Sequence, residues 1–176
     1  DVSVDIRMGS VEEIYRWLQE GTVDLSFASR QDRWRFDWEP LWDDPLLAVL
    51  PPDYPTAGRE RFPVSEFGRK EFLMPSLGFD LDILGVFETQ GVQPDIRSNT
   101  AVEDDAILSM VEHGLGVSIL SQLVLQGRQD NVRTLPLDPP ACRHMGIAIR
   151  SLKEAPPVIR TFIDYSRRIV GALHTP

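Results

Sequence analysis

Thr100, Asn99, Ser76, Ser29 and Arg30 are the polar residues of this sequence whose positions suit the holding of a small molecule. Asn99 and Thr100 stand where a helical pattern begins, and a helix entry offers unpaired backbone amides and a positive dipole end to an anion or polar oxygen. Ser76 follows the apolar stretch Phe72–Met74, and Ser29 and Arg30 follow Val23–Ala28. In open α/β sheets small ligands sit beyond the carboxyl ends of strands. The five residues are therefore expected to converge on one pocket for a small polar or anionic metabolite. Each also has a plain structural role open to it, Thr100 as a helix cap, Ser76 as a turn residue and Arg30 as a solvated loop charge.

Other chemistries lack their residues. No G-x-S-x-G elbow is present, and Gly116-Val117-Ser118 lacks the second glycine. Gly114-Leu115-Gly116 lacks the third glycine of a dinucleotide fingerprint and follows a helical rather than an extended pattern. There is no phosphate-cradling G-x-x-x-x-G-K-[ST]. The histidines, at 113, 144 and 174, and the single Cys142 do not have zinc spacing. Asp43-Asp44 and Asp104-Asp105 are adjacent pairs whose side chains diverge, and they read as surface charge. No catalytic residue, metal or cofactor is expected.

The elements that must position the five residues follow from periodicity. Val2, Val4 and Ile6 alternate as in a strand, and Ser10 with Glu13 forms a capping box for a helix with Val11, Ile14, Tyr15 and Leu18 on one face. Gly21 stands where a left-handed residue ends a helix, and Val23–Ala28 is apolar enough for a strand buried on both faces. Extended patterns recur at Trp38–Trp42, Leu46–Leu50, Phe72–Met74, Asp95–Ser98, Val117–Leu120, Val132–Leu137 and Met145–Ile149. Helices are expected after Ser65, from Asp80 to Gln90 with Ile83, Leu84 and Phe87 inward, and from Thr100 to His113, where Thr100 and Glu103 suggest a second capping box. The stripe of that third helix would be Ile107, Leu108, Val111 and Leu115. Ser121–Gln126 is helical, and Pro156 and Pro157 open a last helix facing inward through Val158, Phe162, Tyr165 and Ile169. Trp34, in a polar loop, could cover a cleft or a partner, whereas Trp38 and Trp42 read as packing residues.

Alternating β and α favours an open α/β sheet, and the proline-punctuated stretches near 45 and 139 allow two lobes. The 176 residues suffice for one domain or two small lobes, and 42% hydrophobic residues suffice for a core. Eighteen Lys and Arg against 27 Asp and Glu give a net charge of -9, so this chain alone is not expected to bind nucleic acid. One cysteine, no apolar run of about 20 residues and no signal-like start imply a cytoplasmic protein with no membrane contact. The first residue, Asp1, lies within an alternating apolar run, and a piece of a longer polypeptide is expected.

Three segments carry a family resemblance. Leu18–Ala28, with Gly21 and Asp24 before an apolar strand, resembles a segment of the regulatory domain of LysR-type transcriptional regulators. Pro45–Pro51 with Tyr54-Pro55 is similar to that family's strand and following turn, and Val111–Leu120, with its Gly114-x-Gly116, resembles its glycine-bracketed strand. Ser121 stands where the family usually has Pro.

The resemblance implies a periplasmic-binding-protein-like fold of two α/β lobes with an interlobe cleft, lobe one formed by residues 1–45 and 144–176 and lobe two by 46–143. It implies effector sensing in that cleft and homo-oligomers, dimers of this part and tetramers at full length. DNA contact would be made only through a winged helix-turn-helix upstream of this chain. It further implies that lobe one lacks a first strand and helix, leaving a slot between Val2–Ile6 and Val23–Ala28. The alternatives are a solute-binding protein of a transport system and a small α/β enzyme.

Overall fold

The computed structural model describes residues 2–75, 80–98 and 103–173. Its elements run α1 (Val11–Glu20), β1 (Leu25–Ser29), β2 (Asp37–Leu50), β3 (Phe62–Pro63), a 3-10 helix (Val64–Arg69), β4 (Glu71–Leu73), α2 (Asp80–Gln90), β5 (Asp95–Ser98), α3 (Asp104–Glu112), β6 (Ser118–Ser121), α4 (Gln122–Leu125), β7 (Arg133–Asp138), β8 (Cys142–Ile149) and α5 (Pro157–Leu173). The chain forms two compact units, Asp1–Trp42 with His144–Pro176, and Asp43–Arg143. β2 and β8 are the strands that pass from one unit into the other.

In the first unit the capping box at α1 is complete. Ser10 Oγ accepts from the Glu13 amide, and the Ser10 amide donates to Glu13 Oε2 at 2.8 Å. This satisfies two groups that a helix start otherwise leaves open. Gly21 ends the helix at φ 73°, the left-handed conformation that a glycine adopts without strain. β1 pairs antiparallel with β8, Leu25 opposite Ile149 and Ser29 opposite Met145. Gly146 of β8 is required by close approach, since a Cβ there would lie 2.4 Å from the Trp38 ring and from the Glu39 carbonyl.

Several expectations for this unit need correction. Val2–Ile6 is not a strand, and its three apolar side chains are 67%, 59% and 82% exposed. Alternation makes a segment competent for a sheet, but a strand forms only where its backbone groups find an edge to pair with. β1 is not buried on both faces, because Phe27 is half exposed. On α5 the packed side chains are Ile163 and its neighbour Ile159, whereas Val158, Tyr165 and Ile169 are exposed. Trp34, in its loop, packs on Tyr15 and Phe36, ring centroids 5.4 and 6.2 Å away.

In the second unit the end of β2 is flanked on both sides, antiparallel to β6 through Leu46–Val49 and to β7 through Leu47–Leu50. β3 runs parallel to β7, and β4 runs parallel to β5. Its core joins Leu46, Leu50, Phe62, Phe67, Phe72, Ile83, Phe87, Ile119 and Leu137, with Phe62, Phe67, Phe72 and Phe87 in tilted and edge-to-face contacts of 4.8 to 5.7 Å. Such pairs add about 0.5–1.5 kcal/mol each beyond burial. Ile83 and Phe87 of α2 face inward as expected, but Leu84 is 42% exposed. α3 starts at Asp104 with Glu103 as its cap, and no side-chain cap bond is made, so the Thr100–Glu103 capping box is not the helix start. Leu115 lies beyond the helix and is exposed.

Candidate functional site

In the second unit the geometry begins with β4 and β5. They are parallel neighbours with Leu73 opposite Ser98, and Phe72 also bridges Val117 in the parallel sense. Parallel pairing puts the carboxyl ends of β4 and β5 at the same end of the ladder, so the chain leaves toward Ser76 and toward Asn99 and Thr100 from one edge. Ser76, Asn99 and Thr100 themselves lie outside the described residues. The edge is held from behind by the glycine-bracketed segment. Gly114 turns at φ 75°, and a Cβ on Gly116 would lie 2.7 Å from the Glu71 carbonyl. Ser118 Oγ then donates to the Leu73 carbonyl at 2.7 Å. The glycines that looked like a failed nucleotide fingerprint are thus there to bring one strand against β4.

In the first unit Ser29 and Arg30 stand at the carboxyl end of β1. Ser29 is buried and accepts a hydrogen bond from Gln31 Nε2 at 3.1 Å. The Arg30 amide donates to the His144 carbonyl at 2.8 Å, fixing the strand end, while its guanidinium is exposed and lies 3.3 Å from Asp32. An exposed pair of that kind contributes little stability and leaves the cation available to an anion.

A buried charge cluster was missed from the sequence. Asp44, read as surface charge, is fully buried and receives Arg143 Nη2 at 2.7 Å on Oδ2 and the Leu123 amide at 3.0 Å on Oδ1. Arg143 also donates to Ser121 Oγ at 3.2 Å. Ser121, the departure from the family's proline, caps α4 by accepting from the Val124 amide. The missed signal is the pairing of an acid and a base 99 positions apart, which adjacency cannot show. Asp104, at the start of α3, has its carboxyl pushed above the usual range by burial, against the pull of Arg128 and Arg143. The first turn of that helix therefore carries its own acids.

Comparison with known proteins decides the family. A model described as the LysR substrate binding domain matches residues 1–170. The chain belongs to the LysR substrate binding domain family. These are the effector-binding, non-catalytic domains of LysR-type regulators, and the α/β architecture seen here is their periplasmic-binding-protein-like fold. Among relatives, the HTH-type transcriptional regulator YvbU of Bacillus subtilis is 26% identical over 166 residues, 93% of this chain and 56% of YvbU. This LysR domain thus spans a little over half the length of the curated relatives it matches. The CcmR regulatory domain of Synechocystis PCC6803, solved in complex with 2-PG, superposes with a TM-score of 0.82 at 24% identity, covering 96% of this chain and 83% of that one. The effector binding domain of QuiR, solved with shikimate, gives a TM-score of 0.77 at 22% identity, covering 96% and 81%. Among the described residues of the LysR domain, no helix is long and apolar enough to cross a membrane.

Proposed function

We propose that this domain is the sensing part of a cytoplasmic, dimeric transcription regulator, and that it binds a small polar or anionic metabolite through Ser29, Arg30, Ser76, Asn99 and Thr100. The observation that carries the assignment of residues is the shared edge of β4 and β5, from which the segments of Ser76 and of Asn99 and Thr100 both depart. Ligands of open α/β sheets are taken at such strand ends. Arg30, exposed at the end of β1, supplies the positive charge. The family membership and the 2-PG and shikimate complexes of similar domains support the ligand class.

The mechanism requires no covalent step. An effector that binds one arrangement of the domain more tightly than another shifts the population toward it, by no more than that difference in affinity. The shift passes through the dimer to DNA-binding segments outside this chain. The net charge of -9 leaves DNA contact to those segments. A thermal-shift series with 2-PG, shikimate and related small organic acids tests the reading. Binding at 100 times Kd stabilises by about 2.7 kcal/mol, so a hit raises the melting temperature with concentration, and Arg30→Ala should weaken anionic hits selectively. A series in which every hit is indifferent to Arg30 and Thr100 would remove the site assignment.

A further inference from the structure

We propose that Asp43, Cys142 and His144, on the neighbouring strands β2 and β8, form a binding site for a divalent metal ion of the zinc class. A carboxylate oxygen, Sγ and a ring nitrogen from the three residues all lie within 4.8 Å of one another. Carboxylate, thiolate and imidazole are the donors that zinc takes, and three protein ligands with a fourth position left to water is its arrangement in open sites. Around a tetrahedral zinc such atoms stand roughly 3.3–3.6 Å apart, so small rotations of exposed side chains on fixed strands close the set.

The strands hold the ligands in place. Cys142 and His144 are two residues apart on β8, and strand alternation puts them on the same face. Arg143 between them is buried and bonds to Asp44 Oδ2 at 2.7 Å. On β2 the residue before Asp44 is Asp43, which is exposed, as are Cys142 and His144. The buried ion pair therefore ties β2 to β8 on one face, and the three ligands stand together on the other. The His144 backbone is fixed as well, because its carbonyl accepts the Arg30 amide at 2.8 Å. Spacing along the chain conceals this set, since the acid belongs to a different strand from the Cys-x-His pair.

Charge selects the ion. The metal takes Cys142 as its thiolate, so binding releases one proton to solvent. Asp43, Asp44 and that thiolate then stand against one cation of the pair behind them, Arg143, and a divalent ion neutralises the excess. The sulfur and nitrogen donors suit zinc, cobalt or nickel, whereas calcium and magnesium take oxygen.

Titration of the untagged domain with Co2+, followed by competition with Zn2+, tests the proposal. The expected result is one cobalt per chain, with a thiolate-to-cobalt charge-transfer band in the near ultraviolet that Zn2+ removes. Cys142→Ser and His144→Ala should each weaken zinc binding at least about 100-fold, beyond the usual loss from a residue that only supports a ligand, and Asp43→Asn should weaken it in the same direction. His113→Ala, which removes an exposed histidine of α3's end, should leave binding unchanged. Melting temperatures of the metal-free variants show that each is folded, since all three ligands are exposed. Cobalt bound without the thiolate band, or a band that survives His144→Ala at full strength, overturns the proposal. One ion per two chains, a metal shared by the cysteines of two molecules, also overturns it.

Discussion

The two units spend their apolar side chains differently. The second buries Phe62, Phe67, Phe72 and Phe87 against one another under a β2 flanked on both sides, whereas the first buries Ile147, Ile149, Ala155 and Ile163 and leaves Phe27, Val158, Tyr165 and Ile169 exposed. Composition does not separate them. β2 lies between β6 and β7, whereas β1, among the described residues, pairs with β8 alone. Burial of an apolar residue in a sheet is a property of its neighbour as much as of its own sequence.

The largest expected contrast is between two phenylalanines. Phe67→Ala should cost about 3–5 kcal/mol, the range for deleting a buried aromatic ring, while Phe27→Ala, at 50% exposure, should cost well under half as much. Urea midpoints measure both, and equal losses would mean that the first unit is as well packed as the second. Charge pairs give the next contrast. Asp44→Ala strands the buried Arg143 and should cost about 3–5 kcal/mol, against about 0–1 kcal/mol for removing Glu12 from its exposed pair with Arg33. A double-mutant cycle on Asp44 and Arg143 isolates the coupling.

Much of this was legible beforehand and some was not. The capping box of Ser10 and Glu13, the Gly21 stop and the strand at Asp95–Ser98 stand as read, because each is decided by residues within a few positions. Val2–Ile6 and the face of α5 were misread for one reason: periodicity reports which residues share a side, and the partner that covers that side comes from elsewhere. The Asp44–Arg143 pair was invisible because it joins β2 to β8 across 99 positions. Of the proposed effector residues, Ser29 and Arg30 fall at a strand end as read, and Ser76, Asn99 and Thr100 lie outside the described residues.

Smaller effects sharpen the comparison. Gly116→Ala should cost about 1–3 kcal/mol, since the new Cβ meets the Glu71 backbone. Gly85→Ala, in α2 with open space around it, should stabilise by about 0.5–1 kcal/mol. Thermal melts of the two variants should move in opposite directions. Acid acts on two carboxyls, one in each unit, with opposite sign. The Glu13 carboxyl is held below its ordinary 4.5 by the Ser10 amide and then its hydroxyl, so its contribution is present above that value and lost as pH falls through the folded value. Asp104 is raised above 3.8 by burial, so its charged form costs stability above the folded value, and the cost disappears as pH falls through it toward 3.8. Ser10→Ala should therefore flatten the acid-side loss, and Asp104→Asn should raise the neutral-pH midpoint, both read from urea titrations at neutral and acid pH.

The central claim is that a small metabolite is bound at the strand ends of this LysR domain, and the most direct measurement is calorimetric titration of the domain with the best thermal-shift hit, repeated on Thr100→Val. The cap of α3 is Glu103, so Thr100→Val takes no cap from that helix, and the melting temperature checks that the variant stays folded. The account predicts saturable one-site binding that weakens at least about tenfold in Thr100→Val, a loss of about 1.4 kcal/mol. Unchanged affinity in the folded variant would contradict it.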